Sequence, residues 1–140
     1  MSVERNRSLI RRFYDELWNQ WNLDAANEIL APDVRFRGSL GTTLVGVDAF
    51  KGYVEQVRAA FPDFQNRVDD LIADDDKIVT RMTWSGTHSG KLFGIPATGR
   101  RVTYVGAGIF HLLDAKIQEA WIVGDTQELW RTLGVIPESG

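Results

Sequence analysis

The fold of this 140-residue chain is decided by the stretch KIVTRMTWSGTHSGKLFGIPATGRRVTYVGAGIFHLLDAKIQEAWIVGD, residues 77–125. Apolar and polar residues alternate along it in several runs, which is the period of a β-strand with one buried face. A similar run comes directly before it, so a succession of long strands is predicted without an intervening helix. The predicted strands cover residues 64–73, 77–88, 100–113 and 116–125.

The connections between these strands indicate how they pair. Residues 73–77, ADDDK, and the pair Asp114-Ala115 have the composition of tight hairpin turns. Residues 90–101 form a longer loop that is rich in glycine and proline. Strands joined by short turns lie antiparallel, so we expect one curved antiparallel sheet rather than a doubly wound parallel one.

Helical patterns come mostly before the strands. Apolar residues recur three and four apart in three segments of the first half of the chain. We expect a single α+β domain over residues 1–140, a cone-shaped curved antiparallel sheet with the three N-terminal-half helices packed on its concave side. Such a cone leaves a cavity for a small ligand. The helices are predicted at 3–20, 23–30, 46–61 and 126–133, the last ending at Gly134 with Pro137 beyond it, and an early strand at 34–38.

The composition excludes several classes of function. The chain has 16 basic and 19 acidic residues, so its formal net charge of -3 is poorly suited to a nucleic-acid partner. It has no cysteine, which excludes disulfides and thiolate metal sites. No helix carries His and carboxylate groups at metal-ligand spacing, and no phosphate-binding loop is present, so we expect neither metal nor cofactor. No signal peptide or membrane-spanning run is visible, and we expect a cytoplasmic protein.

Strand parity sorts the side chains that face the predicted cavity. In residues 116–125 it places two acids, Glu119 and Asp125, among large apolar side chains, which is unusual for a plain core face. The inward set of residues 77–88 is Ile78, Met82, Trp84, Gly86 and His88, and that of residues 116–125 is Ile117, Glu119, Trp121, Val123 and Asp125.

Asp125 has two interpretations. A carboxyl group in an apolar cavity has a raised proton affinity and can act as a general acid or base. Asp125 also begins the sequence DTQE, in which Glu128 comes three residues later, and this is the pattern of a capping box at a helix N-terminus. A cap favours the charged carboxylate.

Each of the two histidines also has more than one interpretation. His88 is predicted at the rim of the cavity, either as a proton relay and hydrogen-bonding group or as a partly exposed residue without a role. His111 lies between Phe110 and Leu112 and is compatible with either face of its strand.

Several segments resemble one known superfamily. LIRRFYDELWNQWNLDAANEILAPDVRF and VDAFKGYVEQVRAAFPDF resemble the opening and third helix of nuclear transport factor 2-like proteins. TWSGTHSGKLFGIPATGRRV and DAKIQEAWIVGDTQELWRTLG are similar to the corresponding segments of SnoaL-like polyketide cyclases and their ester-cyclase relatives.

The resemblance implies a nuclear transport factor 2-like, or cystatin-like roll, fold and an intramolecular aldol condensation without cofactor or metal. It implies that Asp125, four residues after Trp121, is the acid/base, with His88 as an auxiliary group. The substrate is expected to be a hydrophobic, carbonyl-bearing small molecule. The side chains expected to contact it are Trp84, Trp121, Phe36, Arg37, Tyr14, Tyr53, Glu119 and His111.

Two other functions remain open at this point. The chain is also compatible with a non-catalytic module that binds a small molecule or a partner, and with an epoxide hydrolase or isomerase on the same fold. The hydrolase would need Arg37 or Arg81 beside Asp125. Because an open sheet face needs covering, we expect a homodimer, with Tyr104 and neighbouring strand residues as interface members.

Overall fold

A six-stranded curved sheet forms the framework of the protein. The computed structural model describes residues 3–136. The strand order is β2-β1-β6-β5-β4-β3, and every neighbouring pair is antiparallel except β1 and β6, which are parallel. The strands are β1 Leu30–Arg37, β2 Thr43–Val45, β3 Gln65–Asp74, β4 Lys77–Thr87, β5 Arg101–Leu113 and β6 Lys116–Gly124.

The first helix widens before it ends. Helix α1, Val3–Arg12, continues without a break into a π-helical segment, Phe13–Trp18. The backbone N–H of Asn19 donates to the carbonyl of Tyr14 over 2.8 Å, five residues earlier, which is the π-helical pattern. The segment buries Phe13, Tyr14, Leu17 and Trp18 against the sheet.

Three further helices complete the fold: α2 Ala25–Ile29, α3 Val47–Ala60 and α4 Thr126–Leu133. Helix α3 buries Phe50, Tyr53, Val54 and Val57 on one stripe, which packs in the concave side of the sheet. Helix α4 ends at Gly134, whose φ of 79° is the left-handed conformation that glycine adopts most readily. No helix within the described residues is both long and apolar enough to cross a membrane.

The predicted fold class and order of elements are confirmed. The differences lie early in the chain, where β1 begins at Leu30 rather than residue 34, and where the short strand β2 was not predicted. Asp114 and Ala115 form the predicted β5–β6 turn, and both have positive φ, 52° and 63°. Pro137 lies outside the described residues.

A β-bulge in β6 reverses the predicted parity of that strand. Leu112 pairs with Ile117, but the next residue back, His111, pairs with Glu119, so Gln118 is the extra residue. Ile117 points inward as predicted, whereas Ala120 and Ile122 then take the inward positions. The prediction that Glu119, Trp121 and Val123 face the helices is therefore wrong. The parity prediction for β4 is confirmed, because Ile78, Met82, Trp84, Gly86 and His88 are all buried.

Candidate ligand cavity

An apolar cavity lies between the concave face of the sheet, the π-helical segment and α3. We call it the aromatic cavity, because most of its wall consists of ring side chains. Its lining residues are Phe13, Tyr14, Trp18, Phe36, Gly38, Ser39, Leu40, Tyr53, Val57, Phe61, Phe64, Asn66, Trp84, Tyr104 and Ile122.

The floor of the cavity depends on two glycines of the sheet. The indole of Trp84 lies over Gly106 and Gly124, and its ring centroid is 5.1 Å from that of Tyr104. A Cβ on Gly106 would overlap this indole and the carbonyl oxygen of Val123. The absence of side chains at both positions therefore lets the Trp84 indole approach the sheet backbone closely.

The cavity contains a small number of polar groups. The Ser39 and Tyr104 hydroxyls are 3.2 Å apart and share a hydrogen bond. The Tyr53 hydroxyl lies against Gly38 and forms no hydrogen bond with any described residue. Asn66 is held by Asn19, whose Oδ1 accepts from the Asn66 backbone N–H over 2.8 Å. A ligand carbonyl or hydroxyl would find both donors and acceptors on this wall.

Burial changes the acidity of the tyrosines. Loss of contact with water raises the pKa of Tyr104 to about 12, a rise that its hydrogen bond with Ser39 partly offsets. Burial also raises the pKa of Tyr14 and of Tyr53 well above the usual value, and the proximity of Tyr104 adds to the rise for Tyr53. All three hydroxyls therefore stay protonated at neutral pH and are available as hydrogen-bond donors to a ligand.

The ring side chains nearly fill the cone. The volume within which the centre of a water molecule can move is about 40 Å³, which is room for very few waters. A ligand of several rings therefore enters only if some of the aromatic side chains change rotamer.

The Asp125 carboxylate lies outside this cavity. It is exposed, follows the end of β6 and accepts a hydrogen bond from the Glu128 backbone N–H over 3.2 Å, as the N-cap of α4. The prediction that its side chain shares the inward face is wrong, because the strand ends at Gly124 and the backbone turns into the helix. Gly124 itself packs against Ser39, Trp84 and Tyr104, so Asp125 is one residue from the cavity wall.

His88 is buried but does not line the cavity. Its ring packs against Phe61 with centroids 5.6 Å apart, and Nδ1 is 3.0 Å from the Thr98 hydroxyl. The expectation of a rim position is therefore wrong. The Nε2 atom of His88 has no hydrogen-bond partner among the described residues. The contact with Thr98 ties the end of β4 to the loop that leads into β5.

The other predicted contact residues divide between the two faces of the sheet. Glu119 pairs with Arg35 on the outer face, with 3.0 Å between Arg35 Nη2 and Glu119 Oε2. Arg37 also lies there, over the Trp121 ring at 4.9 Å. His111 is 2.9 Å from an Asp76 carboxylate oxygen at the far end of the sheet.

Four predicted contact residues, Tyr14, Phe36, Tyr53 and Trp84, meet at the cavity. The sequence analysis missed Ser39 and Asn66 and assigned Tyr104 to a dimer interface, although Tyr104 points inward. The sequence signal that could have placed Tyr104 on the inward face is its spacing of two residues from Val102, which is also buried.

No arginine or aspartate lines this cavity within the described part of the chain, so the arginine–aspartate set of an epoxide hydrolase is not formed there. Residues 3–136 also contain no cluster of His, Asp and Glu suited to a metal.

The family follows from comparison with known proteins. A family model for SnoaL-like polyketide cyclases matches residues 8–133. The chain belongs to this family. The predicted resemblance is thereby confirmed, and membership supports a cyclase-like function. None of the curated proteins matches the chain at a significant level.

Several solved structures share the fold over nearly the whole chain. AclR from Streptomyces galilaeus, a proposed hydroxylase, is 27% identical with a TM-score of 0.85, over 99% of this chain and 87% of AclR. IdmH from Streptomyces antibioticus, a proposed polyketide cyclase, is 27% identical with a TM-score of 0.79, over 93% of this chain and 99% of IdmH. TsrD from Streptomyces laurentii is 26% identical with a TM-score of 0.86, over 97% of this chain and 99% of TsrD.

Proposed function

We propose that this SnoaL-like protein is a cofactor-independent acid/base enzyme that acts on a hydrophobic, carbonyl-bearing small molecule in the aromatic cavity. The observation that carries the proposal is the cavity wall, in which ring side chains surround the hydroxyls of Ser39, Tyr53 and Tyr104. A mostly apolar wall with a few polar groups is typical of small-molecule sites. Family membership adds the expectation of a ring closure.

The proposed reaction is an intramolecular aldol condensation. A base removes a proton from a carbon that neighbouring carbonyls activate, and the resulting enolate carbon attacks a second carbonyl carbon of the same molecule. One C–C bond forms, and the alkoxide left on the attacked carbon takes a proton from the conjugate acid of the base. The Tyr53 and Tyr104 hydroxyls stay protonated and are suited to donate to the enolate oxygen.

We assign the proton transfer to Asp125, because no carboxylate or imidazole belongs to the cavity wall within the described residues. Asp125 follows Gly124, whose backbone packs against the wall residues Ser39 and Tyr104. To act on a ligand, its carboxylate must leave the Glu128 amide and turn toward the cavity. His88 is buried behind Phe61, so we assign it the position of the loop after β4 rather than contact with the substrate.

A non-catalytic binding module is the second candidate, and one observation favours it. The only interaction of the Asp125 carboxylate with the described residues is the helix cap, and the cap alone accounts for an aspartate at this position. In this case the cavity would hold an apolar ligand without changing it.

Proton exchange separates the two candidates without the natural substrate. The probe is β-tetralone, an apolar bicyclic ketone with an acidified carbon between its ring and its carbonyl. In deuterated water, the enzyme is expected to accelerate the exchange of the protons on this carbon for deuterium. NMR measures the rate of the exchange. Asp125→Asn is the matched variant, because asparagine caps a helix as well as aspartate does but cannot take up the proton.

The outcomes are distinct. Acceleration that disappears in Asp125→Asn supports the assigned base. Acceleration that survives the substitution removes Asp125 from the reaction, while leaving an acid/base enzyme. If β-tetralone binds, as shown by quenching of tryptophan fluorescence, but exchanges no faster than in buffer, the binding module is the better account.

We also propose that a second copy of the chain covers the outer face of the sheet. A row of apolar side chains crosses four paired strands there: Ile72, Val79, Ile109 and Trp121, with exposed fractions of 61%, 39%, 41% and 45%. The Arg35–Glu119 and Arg67–Asp69 pairs lie on the same face. A two-fold copy can therefore oppose acids to bases around an apolar centre.

A further inference from the structure

A second depression adjoins the aromatic cavity on its outer side. We call it the outer groove; it shares Leu40, Tyr53 and Val57 with the aromatic cavity and is also lined by Gln56, Lys91 and Phe93. The centre of a water molecule has about 260 Å³ available in it, against about 40 Å³ in the aromatic cavity. The groove is thus a wider space that ends at the cavity wall.

The loop that supplies Lys91 and Phe93 is held in place by its backbone. Ser89 and Gly90 both donate their N–H groups to the Ala60 carbonyl at the end of α3, over 2.9 and 3.1 Å. Leu92 is buried and forms two backbone hydrogen bonds with Ile95. The two residues that flank Leu92 are consequently presented at the groove by a fixed turn.

Lys91 is the only charged residue on the groove wall within the described chain. It forms no ion pair or hydrogen bond with any described residue, and the groove wall itself contains no acid to neutralise it. This differs from the arginines near the outer face, several of which are paired with acids. An unpaired ammonium group beside an apolar wall favours an anion.

Phe93 is an exposed aromatic residue in a conformation that favours glycine. Its φ is 45°, the next residue is Gly94 with φ of 82°, and the exposed fraction of Phe93 is 56%. A bulky residue with positive φ is an uncommon and strained choice in a turn. Contact with a ligand in the groove is a function that this side chain can serve and that a turn alone does not require.

We propose that the outer groove binds an anionic group of the ligand at Lys91, while the apolar rings of the same molecule occupy the aromatic cavity and pack on Phe93. The ligand class is therefore an acidic aromatic molecule rather than a neutral one. This inference rests on the proposed function, because it uses the aromatic cavity as the ligand site.

Two fluorescent probes that differ in one charged group test the inference. Anilinonaphthalene sulfonate is an acidic aromatic molecule, and phenylnaphthylamine is its neutral counterpart without the sulfonate. Both are titrated against the folded wild-type chain, Lys91→Gln and Lys91→Glu. Lys77→Gln is the matched control, because Lys77 is an exposed lysine at the opposite end of β4.

The inference predicts that a change of charge at Lys91, but not at Lys77, weakens binding of the sulfonate probe. The sulfonate should bind about three- to fivefold more weakly to Lys91→Gln and about tenfold more weakly to Lys91→Glu. The Kd of the neutral probe should stay within about twofold in both variants, and Lys77→Gln should change neither probe. Phe93→Gly should weaken both probes without lowering the stability of the fold, because glycine relieves the turn.

Two results would overturn it. Equal sulfonate affinity in wild type and Lys91→Glu removes Lys91 from the site. Failure of the neutral probe to displace the sulfonate shows that the two probes do not share a site. In both cases binding of the neutral probe alone still supports the proposed function, whereas failure of both probes to bind the wild-type chain contradicts the proposed function as well.

Discussion

The Asp125 carboxylate accepts the backbone N–H of Glu128 over 3.2 Å and thereby caps α4. Asp125→Ala should lower the free energy of unfolding by about 1 kcal/mol, since the first turn of the helix loses an acceptor. Asp125→Asn should stay within a few tenths of a kcal/mol, because the asparagine oxygen can accept the same bond. Urea titrations of both variants measure the difference, and equal destabilisation by the two would show that the cap bond does not form in solution.

A methyl group at Gly106 should close the floor of the aromatic cavity. Gly106→Ala places a Cβ in the space of the Trp84 indole and 2.7 Å from the Gly124 Cα, so either the indole or the β5–β6 pair must move. We expect a loss of about 1–3 kcal/mol and loss of phenylnaphthylamine binding.

Gly52→Ala is the control for this substitution. A Cβ at Gly52 meets no atom within 4 Å, and the residue lies inside α3, so alanine should stabilise the helix by about 0.5–1 kcal/mol. If the Trp84 contact is as described, calorimetry should show a lower unfolding temperature for Gly106→Ala and a higher one for Gly52→Ala than for the wild type. A Gly106→Ala protein as stable as wild type, with unchanged binding, would contradict it.

The chain should resist ionisation of its tyrosines. All 3 tyrosines, Tyr14, Tyr53 and Tyr104, are buried. Because burial raises the pKa of Tyr104 from 10.0 to about 12, the folded chain keeps this proton where the unfolded chain releases it. The stability that the Tyr104 proton contributes is therefore fully present below pH 10 and is lost as pH rises toward 12.

Tyrosinate absorbance followed during an alkaline titration checks this expectation. The native protein should show little tyrosinate at the pH where the tyrosines of a denatured sample are half ionised. The tyrosinate absorbance of all three residues should then appear together when the protein unfolds. In the Tyr104→Phe variant, the ionisation of Tyr14 and Tyr53 should still begin at a higher pH than in a denatured sample. Ionisation of all three residues near the usual value in the folded protein would contradict their burial.

Charge on the outer sheet face should prevent self-association. Ile109→Lys introduces a cation in the centre of the row that joins Val79 to Trp121. If the proposed interface forms, light scattering should report a dimer for the wild type and a monomer for this variant. Val45→Lys is the control, because Val45 is 63% exposed but lies on the short edge strand β2. A monomeric wild type would refute the proposed interface.

The fold was predictable because its signals are local. The alternation of residues in β4 identified its buried face, and the capping box at Asp125 identified the start of α4. The site was less predictable, because the bulge at Gln118 depends on the pairing of β6 with β5 and reverses the face of every residue after it. The pairing of Ser39 with Tyr104 joins residues far apart in sequence, so no local pattern indicates it.

Fluorine NMR of the fluorotryptophan-labelled protein tests the central claim most directly. The chain has 5 tryptophans, of which Trp18 and Trp84 line the aromatic cavity, whereas Trp121 lies on the outer face. Titration with phenylnaphthylamine should shift the Trp18 and Trp84 signals, assigned by substitution with phenylalanine, and leave Trp121 in place. A shift of Trp121 with no change at Trp18 and Trp84 would place the ligand elsewhere and contradict the aromatic cavity as the functional site.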